Sequence, residues 1–385
     1  MTELDFTGLV TKPSQVWGGI RLVPLVRETP IEDLRLRREL FRDALLAVEA
    51  GDGTTYSSYI PHGMVADWAR DGSWRAAYGT QLCDSYDDLY DDHDMPLESV
   101  PMHRLVQRAG SQRVRFLPLH LALDGYLALH FGGPSVLWDE WSKRALRRGL
   151  SPRAERAYAG SEIPELADAL RVFEIHPGQC GMLLYAADAL AAAFVVPHPD
   201  DYRALHATLL TDLYGELVYQ HAYYGAGVPE FTARIEDTAE IGSLADLRAA
   251  ARAQERAWAR EHDTVMASGL LDERYAFQEL RRMGRYRLTR FLPPFERQRE
   301  QHIGEAICDL KGRVAYLKTI RLSEAQVRRG HLLVQLARHD WNLEDTAAAL
   351  GATPVELVRR IRSAGFDGLL KRQVVESAQR GRWDG

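Results

Sequence analysis

Cysteine is scarce in this 385-residue chain: Cys83, Cys180 and Cys308 stand nearly a hundred residues or more apart. No C-x-x-C metal or redox motif exists, and the odd count argues against a disulfide framework. No stretch approaches 18 uninterrupted apolar residues, and the opening M-T-E-L-D-F-T-G-L-V has no basic run leading into an apolar one. Membrane spanning and secretion are therefore not expected, and a reducing cytoplasm is the expected location. Internal repeats and low-complexity tracts are lacking too. What remains is ordinary globular material, 46% hydrophobic and 26% charged, long enough for two or three domains.

The net charge of -6 hides an asymmetry. Glu279 to Gly385 carries 21 Lys/Arg against 13 Asp/Glu, which leaves 27 against 41 in residues 1–278. A basic C-terminal part can approach a polyanion even when the whole chain is acidic.

Gly18 to Val26 is short, β-branched and glycine-bounded, and reads as an early strand. Ile31 to Leu46 places Leu34, Leu40, Phe41 and Leu45 near one helical face. Short strands and loops are expected over 51–112, with another strand at Val114 to Pro118. Gly181 to Pro197 reads as two strands around a turn near Ala187-Asp188, although its alanines leave a helix open. An amphipathic helix follows, with Asp200 or Asp201 in its first turn, where carboxylates favour the helix dipole. From Leu244 onward the period reads as helical. The expected architecture is an α+β N-terminal domain (1–228), an all-α connector (229–320) and a small helical C-terminal domain (321–385).

Several motifs suggest chemistry and are better explained without it. His198-Pro199-Asp200-Asp201 resembles the zinc motif of LmbE-like deacetylases, but Tyr202 stands where that family has Glu and no H-x-x-H follows. A proline and two aspartates opening a helix account for the same residues. Asp87-Asp88-Leu89-Tyr90-Asp91 is literally the D-D-x-x-D of terpene synthases, yet it lies among turn residues, and Asp84 to Asp94 reads as a solvated acidic loop. His103, His120, His130, His176 and His198 with Asp124 or Asp188 could line a pocket; satisfied core or rim histidines are the commoner case. No metal and no cofactor is expected.

Two resemblances go further. V-W-G-G-I-R-L-V-P-L-V, R-F-L-P-L-H-L-A-L-D-G-Y and G-Q-C-G-M-L-L-Y-A-A-D-A-L-A-A-A-F-V-V-P-H-P-D-D-Y resemble the bacterial ARPP domain (ARG and rhodanese-phosphatase-associated protein) over about residues 15–225. The family's neighbours, an ADP-ribosylglycohydrolase and a rhodanese-like phosphatase, imply a link to NAD- or ADP-ribose-related conflict systems. Leu332 to Phe366 has helix-turn-helix spacing: one helix ends near His339, a short one covers Leu343 to Leu350, and a third begins near Pro354. Gly351 sits where positive φ or a close approach is needed, and Pro354 suits a first helical turn.

That stretch resembles the Fis-type helix-turn-helix in Asn342, Ala347, Leu350-Gly351, Leu357, Arg359, Arg360 and Ile361. The resemblance implies a third helix in the major groove, with Arg359, Arg360 and Arg362 near phosphates or base edges and Thr353 and Glu356 at its exposed start. Arg281, Arg282, Arg285, Arg287 and Arg290 crowd around Tyr286, and Arg285 and Arg287 join the expected DNA-contacting set. The reading is a cytoplasmic, homodimeric DNA-binding regulator or conflict-system component with a sensing or partner-binding ARPP-like domain. A protein-docking adaptor and an NAD- or ADP-ribose-linked enzyme remain the alternatives.

Overall fold

The computed structural model of the chain describes residues 2–39, 46–50, 54–59, 63–67, 75–78, 105–108, 114–116, 165–232, 234, 241–366 and 370–380. The described strands pair antiparallel. The chain opens with β1 (Leu9–Thr11), β2 (Gln15–Trp17) and β3 (Ile20–Arg27), and the buried, β-branched β3 is the strand expected at Gly18 to Val26. Two small sheets follow. One joins β4 (Arg35–Glu39), β7 (Gly63–Asp67) and β8 (Arg75–Tyr78); the other joins β5 (Leu46–Ala50), β6 (Thr54–Tyr59), β9 (Leu105–Arg108) and β10 (Val114–Phe116).

The short α1 (Leu166–Ala169) leads to a hairpin of β11 (Gln179–Ala186) and β12 (Ala189–Val195). Its turn is the expected one: Ala187 and Asp188 both take positive φ, 49° and 58°, which matches the right-handed twist of the flanking strands. Of the alanines that left a helix open, Ala189 and Ala191 to Ala193 lie in β12, where Ala192 and Ala193 are paired on both sides. The expected helix is α2 (Pro199–Tyr223), N-capped by His198 with Asp200 and Asp201 in the first turn. It packs against β11 and β3.

Two expectations are corrected. Arg35 to Glu39 is strand where a helix is expected over Ile31 to Leu46; Leu34-Arg35-Leu36-Arg37 also alternates with period two, and pairing with β7 selects that period. The all-α connector is replaced by α3 (Leu244–Glu261), a π-turn at His262–Met266, α4 (Ser268–Leu271) and four strands. These are β13 (Ala276–Met283), β14 (Tyr286–Leu292), β15 (His302–Asp309) and β16 (Val314–Arg321). Arginine-rich Y-R-L-T-R-F satisfies either period, and the alternation prevails: Tyr286 and Leu288 are buried on either side of half-buried Arg287.

β16 pairs with β12, so one nine-stranded sheet runs β1-β3-β11-β12-β16-β15-β14-β13, with β2 alongside β3. Its core joins strands from both ends of the chain, among them Leu22, Leu184, Phe194, Phe291 and Leu317. Among the described residues four helices follow: α5 (Glu324–Arg338), α6 (Leu343–Ala349), α7 (Pro354–Ser363) and α8 (Arg372–Gln379). A second core seats α5 to α7 on the sheet through Leu292, Phe295, Ile303 and Leu322 against Leu333, Leu336, Leu357 and Ile361. Among the described residues no helix is long and apolar enough to cross a membrane.

Candidate nucleic-acid interface

Caps written in the sequence set the C-terminal helices. Ser323 and Gln326 close a reciprocal capping box on α5. The Asn342 side chain accepts from the backbone N–H groups of Glu344 and Asp345 (2.9 and 3.2 Å) and starts α6. Gly351, at φ 59°, turns the chain between α6 and α7 as expected of it. A second capping box opens α7: the Glu356 N–H donates to Thr353 Oγ1 (3.2 Å) and the Thr353 N–H to Glu356 Oε2 (2.9 Å), with Pro354 in the first turn. The Thr353 backbone and hydroxyl groups hold the Glu356 carboxyl below its ordinary range, aided by Arg360 and Arg359. The acid at the start of α7 thus has a structural reason that the sequence reading did not find.

Leu357, Val358 and Ile361 bury one side of α7. Thr353, Glu356, Arg359, Arg360 and Arg362 are exposed, and the three arginines make no ion pair among the described residues. Arg285 and Arg287 lie elsewhere, on the β13–β14 hairpin. Arg285 pairs with Asp33, lies over the Tyr286 ring at 5.2 Å and donates to the Tyr286 hydroxyl (2.9 Å), while Tyr286 donates to Asp33 (2.7 Å). Arg282 and Arg287 both face Glu279, at 3.8 and 4.0 Å. Acidic groups therefore already hold much of that basic cluster.

The enzyme-like motifs resolve locally. His198 Nδ1 accepts from the Asp200 N–H (3.1 Å), and buried Asp201 receives a forked pair of hydrogen bonds from Arg35 (2.7 and 3.1 Å). Asp188 is bound by Arg21 (2.7 Å), and His176 is half-buried in the loop before β11, its Nδ1 against the Pro177 carbonyl (2.8 Å). His103, His120, Asp124, His130 and the acidic segment from Asp84 to Asp94 lie outside the described residues. Among those described, no three His, Cys, Asp or Glu side chains are placed to hold a metal ion.

A model of the family called ARPP-2 matches residues 4–284, more than two thirds of the sequence. The chain belongs to the ARPP-2 family. No curated protein and no solved structure matches it.

Two of the three ARPP-2 motifs take structural roles, while R-F-L-P-L-H-L-A-L-D-G-Y lies outside the described residues beyond Phe116. Gly18 (φ 57°) turns β2 into β3 directly against the Ala222 carbonyl, where a Cβ would collide, and the Gly19 N–H donates to the His221 carbonyl (2.9 Å) at the end of α2. The glycines of V-W-G-G thus seat a hairpin on a helix end. A hydrogen-bonded chain that the sequence did not reveal crosses the same region. Tyr185 on β11 meets His262 Nε2 at 2.8 Å, His262 Nδ1 meets Asp263 at 2.8 Å, and Thr11 donates to the same Asp263 oxygen at 2.9 Å. With Asp263 accepting, Nδ1 carries the proton and Nε2 accepts from the phenol. Burial pushes the Tyr185 hydroxyl up, and Tyr185 and His262 are 0% and 1% exposed. The hydroxyl–imidazole–carboxylate chain runs from buried Tyr185 and His262 to a 40% exposed Asp263 and fastens the end of α3 to the sheet. Sequence spacing could not signal it, since 252 positions separate Thr11 from Asp263.

Proposed function

We propose that the chain is a DNA-binding regulator in which α6 and α7 act as a Fis-type helix-turn-helix. In this reading α7 enters the major groove, the ARPP-2 region senses or binds a partner, and two copies pair to give two-fold half-site geometry. One observation carries it: α7 follows a capped, glycine-containing turn, buries Leu357, Val358 and Ile361, and exposes Arg359, Arg360 and Arg362 without carboxylate partners among the described residues. Guanidinium groups free of internal pairs are suited to phosphates and guanine edges. Arg285 and Arg287, paired with Asp33 and Glu279, are the weaker part of the basic surface.

Titration of labelled duplex DNA against wild type and an Arg359→Glu/Arg360→Glu variant at several salt concentrations tests the reading. Wild type should bind at low salt, and the variant should bind more weakly with a shallower salt slope. Absence of wild-type binding, or an unchanged slope in the variant, removes direct DNA contact and leaves a protein-docking role for these helices.

A further inference from the structure

We infer that α3 is a second DNA-contacting element, presenting Arg248, Arg252, Arg256 and Arg260 to the phosphate backbone of a duplex. The ligand class rests on the reading of α7; the residues do not. All four arginines are exposed, and none makes an ion pair among the described residues. Spaced four apart, they stand on successive turns and form a gently winding ribbon about 18 Å long. Ala249 and Ala253, both exposed, lie between them and leave room for close approach.

Folding alone does not call for this arrangement. Like charges four residues apart disfavour a helix. Of the acids on α3, Asp246 is tied to the Ser243 cap (2.7 Å), and Glu255 and Glu261 form no ion pair with the ladder. The helix tolerates the repulsion because seven of its 18 residues are alanine and Ser243 caps it. Residues 244–249 are exposed on every side, so the ladder does not cover a core.

Its C-terminal end is nevertheless anchored. Trp258 stacks on His262 (centroids 5.0 Å apart, 20° between planes) and meets Phe231 edge-on at 5.7 Å, while His262 is held by Tyr185 and Asp263. A helix held at this end loses little backbone freedom on meeting phosphates, and only the arginine side chains have to be ordered. Duplex DNA carries about one charge per 1.7 Å of axis, so a ribbon of this length lies along about ten of them. An acidic protein surface has no such regular density.

The test uses the full chain with Arg248, Arg252, Arg256 and Arg260 all changed to Gln. Gln keeps helix propensity and relieves the repulsion, so far-ultraviolet circular dichroism should match wild type. Fluorescence anisotropy of labelled duplexes of two unrelated sequences is followed across salt. The expected result is a plot of log affinity against log salt that is shallower by about 3 to 4, with at least about tenfold weaker binding near 0.1 M salt for both sequences. A wild-type slope in this variant, alongside loss in Arg359→Glu/Arg360→Glu, overturns the α3 contact and leaves the α7 reading standing. Loss in the α3 variant alone supports the contact and removes α7. Failure of wild type to bind any duplex at low salt overturns both. Competition by polyglutamate as effective as by unlabelled duplex also overturns it, in favour of an acidic protein.

Discussion

Replacing Gly330 with Ala should destabilise the chain, although the position is in the middle of a helix where that change ordinarily helps. Gly330 is buried in α5 against Phe295, which is 1% exposed and belongs to the core joining the C-terminal helices to the sheet. A Cβ built on Gly330 would collide with two ring carbons of Phe295 and lie 2.8 Å from its Cγ. The ring has little freedom to withdraw. Phe295 takes φ 56°, and its carbonyl accepts from His331 Nδ1 at 3.2 Å. Helix propensity favours Ala by about 1 kcal/mol, whereas overpacking a filled core costs about 1–3 kcal/mol. With the backbone pinned the upper figure applies, for a net loss of about 2 kcal/mol. Urea unfolding of wild type, Gly330→Ala, Phe295→Leu and the double variant measures it. The double variant should lose less than the sum of the two singles, because a smaller side chain at 295 makes room for the new methyl. A Gly330→Ala variant more stable than wild type would refute the docking of α5 on Phe295.

Tyr185→Phe removes the hydroxyl that meets His262 and leaves a buried ring nitrogen unpaired, for an expected loss of about 1–3 kcal/mol in urea unfolding. A loss below about 0.5 kcal/mol would mean that the chain from Tyr185 to Asp263 contributes nothing. Burial pushes His206 down to about 4. Its folded pKa lies below its unfolded value, so the folded state binds fewer protons: the contribution is complete above pH of about 6.5 and is lost as pH falls toward about 4, by up to about 3 kcal/mol. Thermal unfolding midpoints should fall over that window and fall less in His206→Gln; parallel curves would count against the assignment. Burial shifts His302 and His331 in the same direction, and both add to the remaining slope.

What was legible in the sequence was local chemistry. His198 to Asp201 announced the start of α2, Ala187-Asp188 the turn of a hairpin, and Asn342, Gly351 and Pro354 the boundaries of α6 and α7. What misled was a pattern open to two periods. Leu34 to Arg37 and Tyr286 to Phe291 fit a helix or a strand, and pairing with other strands, β7 for the first and β13 and β15 for the second, decided the matter. The candidate site divides the same way. The exposed arginines of α7 follow from the spacing of Leu357 and Ile361, whereas the pairing of Arg285 with Asp33 joins residues 252 apart and leaves no local trace. The helical period of α3 was visible too.

The sheet also bears on where the ARPP-2 unit stops as a physical object. The family match ends at residue 284, in the turn between β13 and β14. β13 pairs with β14, β14 with β15, β15 with β16, and β16 with β12, so β12 completes its hydrogen bonding with a strand that lies beyond the match. A chain cut at 284 would leave the β12 edge open from Ala192 to Val195, with Leu317 and Tyr316 gone from the core. The folding unit that contains the ARPP-2 region therefore extends to Arg321. Leu292, Phe295 and Ile303 in that extension also form the floor under α5 and α7, so the strands that complete the sheet are the ones on which the arginine-bearing helix is packed.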